Sequence, residues 1–267
     1  MTAHALLKYS GIAAPHDLRH QPRIARAIEG LLAVEAAAAP DEQWITPTTV
    51  TVDITTPPDT GTITLYQYGP TVVGSAAAGY APATDCAGAF MSYKNQINNN
   101  CYAYGCNIAT STFPQPGRAS GYLLTKDDFT GTVESVGQTV SSYAEKDGLI
   151  LVGSTIADLL AYKEKAGDTL SGHFVALMIS PSADHWYGDY HWARCDNSSG
   201  ACDVWSQKDG GDQVTNFDFA GVPLVDPAIA NWTVNQGPPD SLTKEALVVS
   251  YGFYTFMFVP HGAVTIV

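Results

Sequence analysis

The sequence predicts an α+β protein with a mainly antiparallel sheet, and three observations carry that expectation. Paired runs of alternating β-branched and aromatic residues are joined by short turn segments. Amphipathic stretches with helical spacing stand between them. The last run, ALVVSYGFYTFMFVP, is long, aromatic and β-branched, which suits a central strand closing the sheet. The chain has 267 residues, 45% of them hydrophobic and 15% charged. A chain of that size buries roughly three quarters of its extended-state surface, so it supports a substantial core without staples.

From Arg23 to Ala39 the residues Ile24, Ile28, Leu31, Leu32 and Val34 follow helical spacing until Pro40 ends the run, which predicts an N-terminal helix. TVTVDITT and TITLYQYG flank PPDTG, a Pro-Asp-Gly turn, and predict a β-hairpin. The Gly- and Ala-rich stretch from Gly74 to Pro82 divides residues 1–80, a helix and hairpin extension, from residues 81–267, the main domain; one continuous domain is the alternative. A helix is expected near Cys86 to Asn98, and another on Val133, Val136, Val140 and Tyr143, stopped by Gly148. LILVG reads as a short buried strand and TIADLLAYKEK as a further helix. HFVALMIS and DYHWARCD, joined by PSADHWYG and followed by CDNSSGAC and DVWSQ, predict an antiparallel meander.

Thirteen Lys and Arg against twenty-six Asp and Glu give a formal charge of −13. With its few cations scattered, the chain offers no basic footprint for nucleic acid or for an anionic membrane surface. No window of eighteen apolar residues can span a bilayer as a helix. The apolar run Ala5 to Leu7 is too short for a signal segment, so a cytoplasmic product is expected.

The five cysteines are Cys86, Cys101, Cys106, Cys195 and Cys202. Cys195 and Cys202 flank an Asn-, Ser- and Gly-rich turn and can face each other across a hairpin, as a disulfide in an oxidising compartment or as thiols in the cytosol. There is no CxxC spacing, so no metal and no cofactor is expected. The informative constellation is Cys101 at a helix start, His173 opening an apolar strand, and Asp189 and His191 on the next strand. A helix N-terminus and a nearby imidazolium stabilise a thiolate, and a third polar group orients the imidazole. Asp189 and His191 share one strand face, so either one can serve. The amides of Asn95, Gln96 and Asn100 are candidate oxyanion donors, with helix capping as the equally weighted alternative. Trp186, Tyr187, Tyr190 and Trp192 are candidate lining of a peptide cleft, although Tyr190 and Trp192 equally suit one packed strand face. Arg118 in the QPGR turn can hold a substrate carboxylate; a solvated turn arginine is the plainer reading.

NNNCYAYG, AGD ahead of GHFVALMI, and DYHW together resemble the papain-like superfamily, in particular its NlpC-type cysteine peptidases and amidases. The order of Cys, GHF and Asp is also similar to that of phytochelatin synthase, a related transpeptidase. The resemblance covers roughly residues 95–206. It implies a papain-like core and cysteine-dependent amide hydrolysis or acyl transfer through a thioester on a peptide or small amide. Cys101 would be the nucleophile, His173 the base, and His191 or Asp189 the orienting group. The alternative from another class is a noncatalytic β-rich binding or assembly protein, in which the cysteines are structural. Neither reading specifies an oligomeric state.

Overall fold

The computed structural model describes residues 48–55, 60–67, 90, 96–212, 214–237 and 246–267. The expected helix over 23–39, the Gly/Ala seam, Cys86 and most of the helix expected near Cys86 to Asn98 lie outside the described residues. The hairpin forms as anticipated. Strand β1 (Thr48–Ile54) pairs antiparallel with β2 (Gly61–Gln67), with Ile54 opposite Gly61. Val52 and Ile54 bury themselves against Val267, Ala119 and Leu123, and the Thr55 N–H donates to the Gly121 carbonyl at 2.6 Å.

The main elements then follow in order: α1 (Cys101–Cys106), α2 (Val133–Lys146), β3 (Ile150–Gly153), α3 (Ile156–Ala166), β4 (Gly172–Ser180), β5 (Asp189–Cys195), β6 (Trp205–Lys208) and β7 (Val214–Thr215). After them come β8 (Thr233–Asn235), β9 (Val248–Ser250) and β10 (Gly252–Pro260). Each helix is started by a side chain that satisfies a free N–H of the first turn. The Asn100 side chain accepts from the Ala103 N–H, Thr132 pairs reciprocally with Ser135, and Thr155 pairs reciprocally with Asp158.

Six strands form one antiparallel sheet in the order β3-β10-β4-β5-β6-β7. The fold is therefore α+β and mainly antiparallel. Strand periodicity sorts its two faces. Val175, Leu177, Ile179, Tyr190, Trp192, Met257 and Val259 face α1 and α2, where Tyr102, Val136, Val140 and Ala144 complete one core. Phe174, Ala176, Met178, Ala193, Phe256 and Phe258 face the other way, onto Leu159 of α3 and onto Leu224, Trp232 and Tyr251.

The long C-terminal run is central, as its composition predicts, but it is not one strand. It breaks at Tyr251, whose N–H turns to the Trp232 carbonyl at 3.0 Å. As a result β9 pairs with β8, and only β10 enters the main sheet.

Gly172 opens β4 at φ 149°, and a Cβ there would stand 2.1 Å from the Val259 carbonyl oxygen of β10. Gly172→Ala is expected to cost roughly 2–4 kcal/mol, because either the ladder or the backbone must shift. Urea unfolding of the variant measures it; a loss below about 0.5 kcal/mol would mean the two strands part freely at this end.

Candidate functional site

Helix α1 lies across β5, close enough that a Cβ on Gly105 would meet the Trp192 Cβ at 3.2 Å. Cys101 starts this helix, with its thiol directed at the sheet. The Sγ donates to the Tyr190 carbonyl at 3.8 Å, and the residue is buried. Burial, followed by the nearby Asp189 charge, pushes the thiol pKa well up, so the neutral thiol is favoured.

His173 is also buried, and its Nε2 meets the Gly105 carbonyl at 2.7 Å, at the opposite end of α1 from Cys101. Burial first, then the Arg194 charge, lowers its pKa to about 3. The register supplies the physical reason for the separation. Tyr190 sits opposite Ile179, six residues along β4 from His173, a span of about 20 Å. Thiol and imidazole are each committed to a backbone carbonyl, and they do not hydrogen-bond to one another.

Asp189 and His191 do share a face, but it is the other face of the sheet. His191 pairs with Met178, which places its ring away from α1, among Phe219, Trp232 and Tyr251 at 5.4, 5.5 and 5.9 Å between centroids. Its Nε2 meets Gln207 Oε1 at 3.0 Å, and burial lowers its pKa to about 4. Asp189 accepts from the Tyr251 hydroxyl at 3.1 Å and from the Tyr190 N–H at 2.8 Å, while burial raises its pKa to about 7. Neither residue reaches the His173 ring across the sheet.

The expected oxyanion donors are occupied differently. Asn100 is the α1 cap, and its Nδ2 donates to the Pro114 carbonyl at 2.7 Å, so its amide serves the local backbone. Gln96 is half-buried and offers its main-chain carbonyl to Lys208 Nζ at 2.6 Å; Asn95 lies outside the described residues.

The expected cleft residues do not line one surface. Trp192 is sealed under α1, Trp186 is buried with its indole N–H on Ser180 Oγ at 3.0 Å, and Tyr187 is exposed. Arg118 is not a solvated turn residue. It is completely buried, and its guanidinium donates to the carbonyls of Val267, Phe113 and Thr112 at 2.8, 2.9 and 3.3 Å.

Two buried cations were not anticipated as site residues. Lys208 Nζ donates to the Gln96, Asn99 and Gly210 carbonyls, so its three donors have three acceptors, and burial lowers its pKa to about 7. Arg194 pairs with Asp196 at 3.0 Å and covers the Tyr104 ring at 4.1 Å from its centroid. Both stand in strands of mixed polar and apolar residues, DYHWARC and WSQK, so no local signal marked them; once buried, a charge is tolerated only with partners. Among the described residues, no group of three His, Cys, Asp or Glu side chains is placed to hold a metal ion. Among them too, no helix is long and apolar enough to cross a membrane.

Fold and site together define an α+β protein with a six-stranded antiparallel sheet whose thiol and imidazole candidates are buried in packing and hydrogen-bond roles. The chain is 35% identical over 143 residues to Insoluble matrix shell protein 1 of Ruditapes philippinarum, an alignment taking in 54% of this chain and 74% of that protein. The chain belongs to the family of that shell-matrix protein. No family model matches it, and no solved structure matches it significantly.

Proposed function

We propose that this chain is a noncatalytic, β-rich assembly protein, of the structural kind that the name of its shell-matrix relative denotes. The observation that carries this reading is the commitment of the Cys101 thiol and the His173 ring to separate carbonyls at the two ends of α1. A cysteine nucleophile works as a thiolate beside an imidazolium. Here burial favours the neutral form of each, and the orienting candidates lie across the sheet. An assembly role also suits the exposed apolar residues Phe217, Val222, Val225 and Ile229, the last 83% exposed, on the segment beyond β7.

Iodoacetamide titration of the native protein from about pH 5 to 9, with mapping of all five cysteines, tests the reading. Cys101 is expected to label only when the protein unfolds, and His173→Ala should not slow that labelling in unfolded protein. Selective, His173-dependent labelling of native Cys101 at low pH would overturn it and favour a papain-like core performing acyl transfer at Cys101. Sedimentation over a concentration series gives a second reading. Growth into larger species is expected; a monomer throughout would count against assembly.

A further inference from the structure

We propose that Cys195 and Cys202 are a redox-active pair, which closes to a disulfide by exchange with a low-molecular-weight disulfide, with Cys202 as the attacking thiol and Cys195 as the resolving one. The pair is on the α3 side of the sheet, away from Cys101 and Cys106, and all four are free thiols in this structure. Cys195 ends β5, and Cys202 lies in the turn that leads to β6.

Both side chains point into that turn. The Cys202 thiol donates to the Ser198 carbonyl at 3.6 Å, the Ser198 hydroxyl donates to the Cys195 carbonyl at 3.2 Å, and the Cys195 thiol donates to Asn197 Oδ1 at 3.5 Å. Three more bonds hold the turn, the last of them from α3. The Trp205 indole N–H donates to the Cys202 carbonyl at 2.8 Å, Asn197 Nδ2 donates to Asp203 at 2.6 Å, and Lys163 of α3 donates to the Gly200 carbonyl. Cys202 itself sits at φ 59°, a left-handed conformation that a non-glycine side chain adopts only when its surroundings impose it. A disulfide needs its two thiols brought together by the fold, and here both are bonded within one turn and packed in one buried cluster.

The pair is also asymmetric. The interaction between the two thiols, then the Lys163 charge, lowers the pKa of Cys202, whereas the same interaction and burial raise that of Cys195. Cys202 lies beneath exposed Ala201 and Asp203, so loop opening admits a small reagent to it first.

The chemistry balances with an external disulfide, for example oxidised glutathione, as oxidant. Cys202 gives its proton to solvent, and its thiolate attacks one sulfur of the external disulfide. An S–S bond forms to Cys202, the external S–S bond breaks, and one thiolate leaves. The Cys195 thiolate then attacks the Cys202 sulfur and expels the second external thiolate. Two protein thiols are oxidised to one disulfide, the external disulfide is reduced to two thiols, and the two protons end on those products.

Trypsin cuts after Arg194 and Lys208, so both cysteines fall in one peptide, residues 195–208. Native protein equilibrated with oxidised glutathione and quenched with N-ethylmaleimide should yield this peptide unalkylated and lighter by two hydrogen atoms. The thiol count under denaturing conditions should fall from five to three. Closing so short a loop should raise Tm by roughly 5–10 °C over the reduced protein. Cys195→Ser should trap a glutathione adduct on Cys202, while Cys202→Ser should leave Cys195 modified at least tenfold more slowly. The proposal is overturned if residues 195–208 stay doubly alkylated, if either cysteine bridges to Cys86, Cys101 or Cys106, or if the two single variants react at equal rates. Should a variant fail to fold, the wild-type peptide map still decides whether the bridge forms. Neither the alkylation of residues 195–208 nor the rates of the single variants bear on Cys101, so this proposal and the assembly reading stand or fall separately.

Discussion

Arg118→Ala is expected to cost about 3–5 kcal/mol of stability, through three lost charge-assisted hydrogen bonds and the cavity left behind. The guanidinium ties two parts of the chain together. Nη2 reaches the Thr112 and Phe113 carbonyls in a loop where Ser111 and Phe113 hold left-handed φ values of 53° and 55°, and Nε reaches the Val267 carbonyl. Removing it takes this donor from three carbonyls. Burial lowers the Arg118 pKa only to about 10, so the donor is charged at neutral pH. Arg118→Lys separates charge from shape, since an ammonium lacks the planar fork and should recover only part of the loss. Urea unfolding of both variants measures the effect. A loss under about 1 kcal/mol for Arg118→Ala would return this residue to the surface role expected of a turn arginine.

Asp147→Asn should remove a loss of stability that the wild-type protein suffers as pH rises. Asp147 Oδ2 accepts from the Gly117 N–H at 2.7 Å and from the Tyr102 hydroxyl at 2.8 Å, whereas its buried Oδ1 has no partner. Burial outweighs those donors and the Arg118 charge, and raises the carboxyl pKa from 3.8 to about 7. The folded state therefore keeps a proton that the unfolded chain releases. The resulting stabilisation is complete below the unfolded value and is lost as pH rises through the folded one. Integrated over the shift, the loss is roughly 4 kcal/mol. Asn cannot ionise, so the stability of the variant relative to wild type should rise by about that amount between about pH 3.5 and 8. His173 and His191, held neutral by burial, act in the opposite sense: the unfolded chain gains their protons as pH falls below 6.5, and stability is lost there. That contribution is common to both proteins and cancels in the difference. Denaturant midpoints at matched pH are the measurement; parallel curves would mean Asp147 ionises in the fold as it does in the unfolded chain.

Much of the architecture was legible because it rests on local periodicity. The β1–β2 hairpin, α2, α3 and the β4–β5–β6 meander all lie where alternation, helical spacing and Pro, Gly or Thr punctuation place them. The C-terminal run was read as one strand because nothing local marks Tyr251 as a break. Its bond to the Trp232 carbonyl and its hydroxyl on Asp189 come from residues distant in sequence.

The candidate site was legible only in part, and β5 shows why. The sequence alone establishes that Asp189 and His191 share a face. It cannot establish which face, because one step of register moves every side chain of a strand to the other side. The observed pairing of Met178 with His191 puts both groups on the face turned away from α1, whereas His173 of the adjacent strand β4 lies on the face turned toward it. Likewise the QPGR arginine has the same local chemistry in a solvated turn as in a buried one; the approach of residues 112, 113 and 267 decides the matter.

By itself, then, the sequence determined most of the elements, their antiparallel order in the meander, the acidic charge and the placing of Cys195 and Cys202 at the two sides of a short turn, since all of these depend on composition or on near neighbours. The tertiary structure alone decided that Cys101 meets the Tyr190 carbonyl and not an imidazole, that His173 is spent on Gly105, and that Arg118, Arg194 and Lys208 are buried on specific acceptors. Those outcomes depend on strand register and on long-range packing, where a shift of a few ångströms exchanges one hydrogen-bond partner for another.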